Sequence, residues 1–305
     1  MKPMVLIIAV AMALAALVSP VSPAYAEPYG SGWYGEIQAV YERDDNISRT
    51  YKRDKVSDNV AYISIGGGYS RKHGDRAQLI LSAYLAQSKH DEYDALDSMA
   101  LSLGADYTFQ LNTDYNVSWY KIKLQATHFK FKDSDPREGV QLEADLSFNK
   151  RLTLAATGRI GYRIKDYVFV GKSGAEEAND AAFDTSSQEI YLGADYQFRT
   201  QATFFAEYVF RHGDILSTVA GLVPWWRRNY DARTPDRAFE KPCTAPCVAS
   251  YAYRTRGNTN LVTLGFGFPF RKVNIDVTAS HYKSKGDNSE TYKDTFYKVG
   301  LLWNF

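Results

Sequence analysis

Cysteine is nearly absent: among 305 residues only Cys243 and Cys247 occur, both in the segment "PCTAPC". Two thiols are too few for the disulfide framework of a small secreted scaffold and supply half the ligands of a structural zinc site. Histidine is scarce too, at five residues, and no Cys-x-x-Cys-His haem attachment pattern occurs. Charge of one sign is also lacking. The 36 Lys and Arg stand against 35 Asp and Glu, a net charge of +1, which argues against nucleic-acid binding and against an acidic disordered tail. Past the first residues, no apolar run is long enough to cross a bilayer as a helix.

The chain is rich in aromatics, 23 Tyr, 16 Phe and 5 Trp making 14% of it, and it carries an N-terminal leader. Lys2 forms a basic start, Val5 to Val18 is uninterruptedly apolar, and "AYA" at Ala24 to Ala26 offers small residues for cleavage. Residues 1–26 are therefore expected to be a signal peptide. Removing those 26 residues from 305 leaves 279. No cysteine sits at the cleavage point, which argues against a lipid-anchored start.

From Trp33 onward the pattern is alternation. "VQLEADLSFN" puts Val140, Leu142, Ala144, Leu146 and Phe148 on one face and Gln141, Glu143, Asp145, Ser147 and Asn149 on the other. Such segments predict twelve strands, at about Gly32–Arg43, Asn59–Arg71, Arg76–Ser88, Leu96–Phe109, Asn116–Phe131, Val140–Phe148, Leu152–Ile164, Gln188–Phe198, Ala202–Arg211, Thr259–Phe268, Val273–Ser284 and Tyr292–Phe305. The connections alternate between long or medium and short, five times in phase. A soluble Greek-key sandwich does not predict that phase. An up-and-down barrel with short periplasmic turns and longer extracellular loops does. The expected fold is all-β: an antiparallel up-and-down transmembrane β-barrel over 27–305, of about twelve strands with ten and fourteen as alternatives, and with one long extracellular loop at about 212–258. Tyr107, Phe109, Tyr196, Phe198, Phe268 and Trp303 fall near the short turns as a girdle, and Tyr41, Tyr69, Tyr162 and Tyr208 are assigned to the long-loop side.

The final "YKVGLLWNF" resembles the terminal strand of Gram-negative outer-membrane β-barrel proteins. The resemblance implies an outer-membrane, porin-like protein, exported after signal-peptide removal. It also implies that Tyr297, Val299, Leu301, Trp303 and Phe305 are read as an address by the barrel-insertion machinery. A weaker likeness lies in "YERDDNISRTYKRDKVSDNVAYISIGGGYSRK", which resembles β-barrel proteins of exopolysaccharide secretion and, less closely, those of surface-lipoprotein assembly.

A barrel of this size can be plugged, can hold a ligand or can conduct, so inward charge matters. Alternation turns Glu36, Lys121, Lys123, Glu143, Asp145, Arg159, Arg163, Glu207, Arg211 and Asp276 inward. These are either ion pairs bracing the wall or a charged constriction that sorts solutes. In the long loop, Trp225, Trp226, Arg227 and Arg228 suit a phosphate- or sugar-bearing partner such as lipopolysaccharide or polysaccharide; the same segment could instead fold into the lumen. Cys243 and Cys247 are expected to pair in an oxidising compartment. Asp44, Asp45, Asp54 and Asp58 read as solvated loop charge rather than a calcium ladder, and no cofactor or metal is expected. Ser88 and His90 share a strand face, but without the His-x-Ser arrangement of barrel phospholipases, so a lipid hydrolase ranks third. The expected function is a channel or export pore for small solutes or polysaccharide; the alternative is a closed-lumen surface barrel.

Overall fold

The computed structural model describes residues 30–50, 55–111, 117–170, 182–221, 230–240, 249–287 and 290–305. The expected signal peptide, Trp225, Trp226, Arg227, Arg228, Cys243 and Cys247 lie outside these residues.

The alternating segments become strands β1 (Gly32–Asp44), β2 (Asp58–His73), β3 (Ala77–His90), β4 (Ser98–Gln110), β5 (Ser118–Phe131), β6 (Gly139–Arg151) and β7 (Ala156–Phe169). The series continues with β8 (Thr185–Gln197), β9 (Thr203–Ala220), the short β10 (Ala232–Pro235), β11 (Ser250–Phe270), β12 (Val273–Gly286) and β13 (Thr291–Asn304). Each long strand pairs antiparallel with its neighbours, β9 joins β11, and β13 returns to β1 with Leu301 opposite Ala39. The ring is thus a closed twelve-stranded barrel, and β10 lies outside it along the end of β11. Closure abolishes the unpaired edge that an open sheet would present to lipid. The seam is sealed at its end by Gly35 and Phe305, which exchange two backbone hydrogen bonds of 2.9 Å. The ring of Phe305 covers Gly35, where any side chain would collide with it.

Apolar side chains cover the outside because alternate residues of every strand must face lipid. Leu103, near the middle of β4, is 57% exposed, and Leu124, Ile190 and Leu192 are exposed beside it in type. Leu103→Arg is expected to cost about 2–4 kcal/mol of folding free energy in lipid, measurable as a lowered denaturation midpoint in vesicles.

Aromatic pairs ring the short-turn end: Tyr120 with Phe148, Tyr196 with Phe198, and Trp303 with Phe305, at centroid separations of 5.2, 5.0 and 5.5 Å. Tyr69 belongs to this girdle too, 5.1 Å from Trp33, and not to the long-loop side. The reason is chain direction. β2 runs back toward the short turns, so its C-terminal tyrosine sits opposite the start of β1.

The expected loop at 212–258 is shorter in the structure. Pairing between β9 and β11 continues from His212 opposite Asn258 to Ala220 opposite Ser250. At the base of this extension Gly213 has φ +151°, a conformation that L side chains rarely adopt, and a Cβ there would collide with the Ser186 carbonyl. Beyond this point Asp214, Ile215, Ser217 and Thr218 are all buried, so both faces of the hairpin are covered.

Candidate functional site

Every inward residue expected from the alternation keeps that parity, and most of the charged ones meet across strands. Lys121 reaches Asp106 at 3.2 Å and Lys123 reaches Glu143 at 3.1 Å. Arg163 sits at the centre, 2.7 Å from Asp145 on one neighbouring strand and 3.0 Å from Glu189 on the other, with its guanidinium 4.8 Å from the Tyr191 ring centroid. Lys165 meets Glu189 at 3.2 Å. Tyr191 donates its hydroxyl to Asp145 at 2.7 Å. One register explains one long reach. Arg159 lies opposite Gly193, which lies opposite Glu207, and the absent side chain lets Arg159 cross β8 to meet Glu207 at 3.3 Å. The same seat appears under the rings: Phe205 lies over Gly265, and Tyr191 over Gly161, so large side chains flatten against the wall.

The remaining expected lumen residues stand apart from this ladder. Asp276 lies over Gly267 with its Oδ1 unbonded. Arg211 donates to the Asp214 carbonyl at 2.9 Å. Glu36 faces the tyrosine side of the barrel, where the Tyr34 and Tyr84 hydroxyls lie 3.4 Å apart. Sequence alone does not single out Glu189 and Lys165. Glu189 carries the parity signal, opposite in facing to Ile190; Lys165 fell beyond the expected end of its strand.

At the long-loop end the mouth is covered. The key side chain is Arg137, in the turn between β5 and β6. It forms a two-point ion pair with Asp236, at 2.6 and 3.2 Å, and donates to Thr218 at 3.4 Å. Its guanidinium lies over Phe183 and Phe239, 4.9 and 5.4 Å from the ring centroids. Thr218 comes from the β9 extension and Asp236 and Phe239 from the β10 segment, so one arginine ties the β5–β6, β7–β8 and β9–β11 connections together. On the far side, Ile47, Val60, Tyr93, Leu96 and Ala238 form one apolar cluster. The β10 segment therefore crosses the ring from the β9–β11 side to the loops between β1 and β4. The Thr218 N–H donates to the Ser48 carbonyl at 2.8 Å as part of the same closure.

Two of the acidic loop residues are not solvated as expected, while the Asp45 side chain stays 46% exposed. Asp44 and Asp58 are each 2% exposed. Asp58 accepts the backbone N–H of Glu92 at 3.1 Å and so staples two loops. Asp44 and Asp45 meet Asp294 from the last strand, with carboxylate oxygens within 4.8 Å of one another. Asp54 lies outside the described residues. The Ser88 hydroxyl pairs with Ser98 at 2.8 Å, while both ring nitrogens of the buried His90 lack a hydrogen-bond partner. The serine–histidine bond that a nucleophilic relay needs is not made.

Between the cap and the wall is a cavity of 130 Å³. Arg49, Lys165 and Arg211 line it with Phe129, Phe131 and Tyr282. Burial alone would lower the Arg49 guanidinium, but the Tyr282 oxygen and the Asp44 and Asp294 carboxylates hold it above its ordinary value.

A closed ring of antiparallel strands with an apolar outside and a charged inside is the fold of an outer-membrane β-barrel protein. In structure the chain is similar to an outer membrane channel from Pseudomonas putida F1, with a TM-score of 0.58 at 10% identity over 94% of this chain and 100% of that one. The transport unit of the autotransporter AIDA-I from Escherichia coli aligns with a TM-score of 0.48 at 10% identity, over 95% and 94% of the two chains. The Pseudomonas putida toluene transporter TodX gives 0.45 at 9% identity, over 96% and 93%. No protein-family model matches the chain and no curated protein matches it in sequence.

Proposed function

We propose that this protein is an outer-membrane channel for small solutes, held here with its outer mouth closed. The observation that supports this reading best is the charged ladder from Asp106 to Glu207 inside a closed ring. Charged rings set the selectivity of pores. The cap favours a gated channel, because its latch is built from a few polar contacts between loops and not from the barrel wall. The fold similarity to a Pseudomonas putida outer membrane channel is in keeping with it. A 130 Å³ chamber suits a single small solute better than a polysaccharide chain in transit.

Planar-bilayer recording tests the reading. The full chain is expected to show low or intermittent conductance, and deletion of 222–249, which removes Asp236 and the β10 segment, is expected to raise it severalfold. Absence of conductance in both forms would sink the channel and favour the closed-lumen surface barrel, whose partner would be lipopolysaccharide or polysaccharide at the outer loops.

A further inference from the structure

The chamber beneath the cap is lined by two arginines that make no ion-pair contact among the described residues. Arg211 is half-buried on β9. Among the described residues it bonds only the Asp214 carbonyl, and its Nε has no partner. Arg49 is 9% exposed, its Nε is also unpartnered, and its guanidinium lies 5.0 Å from the Tyr282 ring centroid. Among the described residues neither arginine forms an ion pair, and three of the nearby acids are engaged by other groups. Glu189 is held by Arg163 and Lys165. Asp236 is held by Arg137. The Asp214 carboxylate accepts the Ser186 N–H at 2.8 Å. Asp44 and Asp294 act on Arg49 through space without coming into ion-pair contact.

Two permanently charged guanidiniums lining one cavity present donors that an anion could join. Arg49 is moreover aimed there by a strained turn. Its φ is +53°, and the turn is closed by Asn46, whose side chain donates to the Thr50 carbonyl at 2.9 Å and accepts the Thr50 N–H at 3.1 Å. Backbone strain of this kind is kept where the surroundings impose it, and functional sites are where it clusters. Among polar neighbours that include Gln141, Asp166 and Asp214, the lining also presents flat rings: Phe129 and Phe131 are 8% exposed and Tyr282 2%. The cavity is close in volume to one that accepts benzene, about 150 Å³.

From this juxtaposition we infer that the chamber binds a small organic carboxylate with a flat ring, the carboxylate between Arg49 and Arg211 and the ring against Phe129, Phe131 and Tyr282. The inference rests on the channel reading for its biological sense, since it names the class of solute, but the binding itself does not require conduction.

Isothermal titration of the detergent-solubilised full chain with benzoate, benzamide and inorganic phosphate tests it. Benzoate is expected to bind saturably at one site, with benzamide and phosphate each about tenfold weaker or more, the range expected for losing a charge-assisted hydrogen bond or the ring contact. Arg211→Gln and Arg49→Gln are each expected to weaken benzoate by about tenfold while leaving the β-sheet circular dichroism unchanged. Equal binding of benzoate and benzamide, phosphate as tight as benzoate, or no saturable benzoate binding would each overturn the inference. The comparison on the unaltered protein decides it even if a variant fails to fold. A protein that binds benzoate but never conducts would keep the site and refute the channel.

Discussion

Replacing Arg137 by alanine is expected to unlatch the mouth, raising conductance and exposing 230–240 to protease while the barrel stays folded. The argument is electrostatic. Asp236 is fully covered, its side chain 0% exposed, and its two oxygens accept from Arg137 and Thr218. Removing one partner of such a buried pair costs about 3–5 kcal/mol, because the remaining charge is left without compensation. That cost is avoided if the β10 segment lifts into water, so it falls on the closed state alone. A loss of this size shifts the ratio of closed to open by about two to four orders of magnitude. The cation–π contacts to Phe183 and Phe239 are lost at the same time. The double variant Arg137→Met with Asp236→Leu is expected to close again, since an apolar pair of similar volume removes the uncompensated charge. An Arg137→Ala protein with the parent's conductance and the parent's resistance to proteolysis would show that the latch lies elsewhere.

The barrel wall was legible in the sequence because lipid imposes a rule on every second residue. Leu142 and Leu146 against Glu143 and Asp145, or Ile190 and Leu192 against Glu189 and Tyr191, can be read only one way up. Where strands leave the lipid, that rule lapses. Asp166 on β7 and His212 on β9 face outward as polar residues, so the alternation fades just where β7, β9 and β11 continue. That is why the alternation puts Lys165 in a loop and ends the β9–β11 hairpin about nine residues early. The cap was not legible for a different reason. Arg137 and Asp236 stand 99 residues apart. Asp44 and Asp45 are far in sequence from Asp294, and Arg49 sits in a loop whose sequence shows nothing of the chamber it faces. Ring closure brings the first and last strands together, and only the folded loops bring such groups into contact.

Arg163→Met is expected to produce the second large effect and to decide what the interior charges are for. Arg163 is 6% exposed in its side chain and bridges Asp145 and Glu189, with Glu143 at 3.9 Å. Together with Lys123 and Lys165 it balances these three acids; without it, three carboxylates face two lysines. Removal of such a partner is expected to cost about 3–5 kcal/mol, read as a lower denaturation midpoint. Arg163→Lys keeps the charge but loses the planar fork that reaches both neighbouring strands, so it is expected to fall between the parent and Arg163→Met. The reversal potential under a salt gradient adds the readout that stability does not supply. If the ladder sorts solutes, one lost positive charge at its centre shifts selectivity toward cations in Arg163→Met and leaves it near the parent's in Arg163→Lys. A protein that loses stability in both variants with its reversal potential unmoved uses these pairs to brace the wall, and selectivity then rests with the arginines beneath the cap.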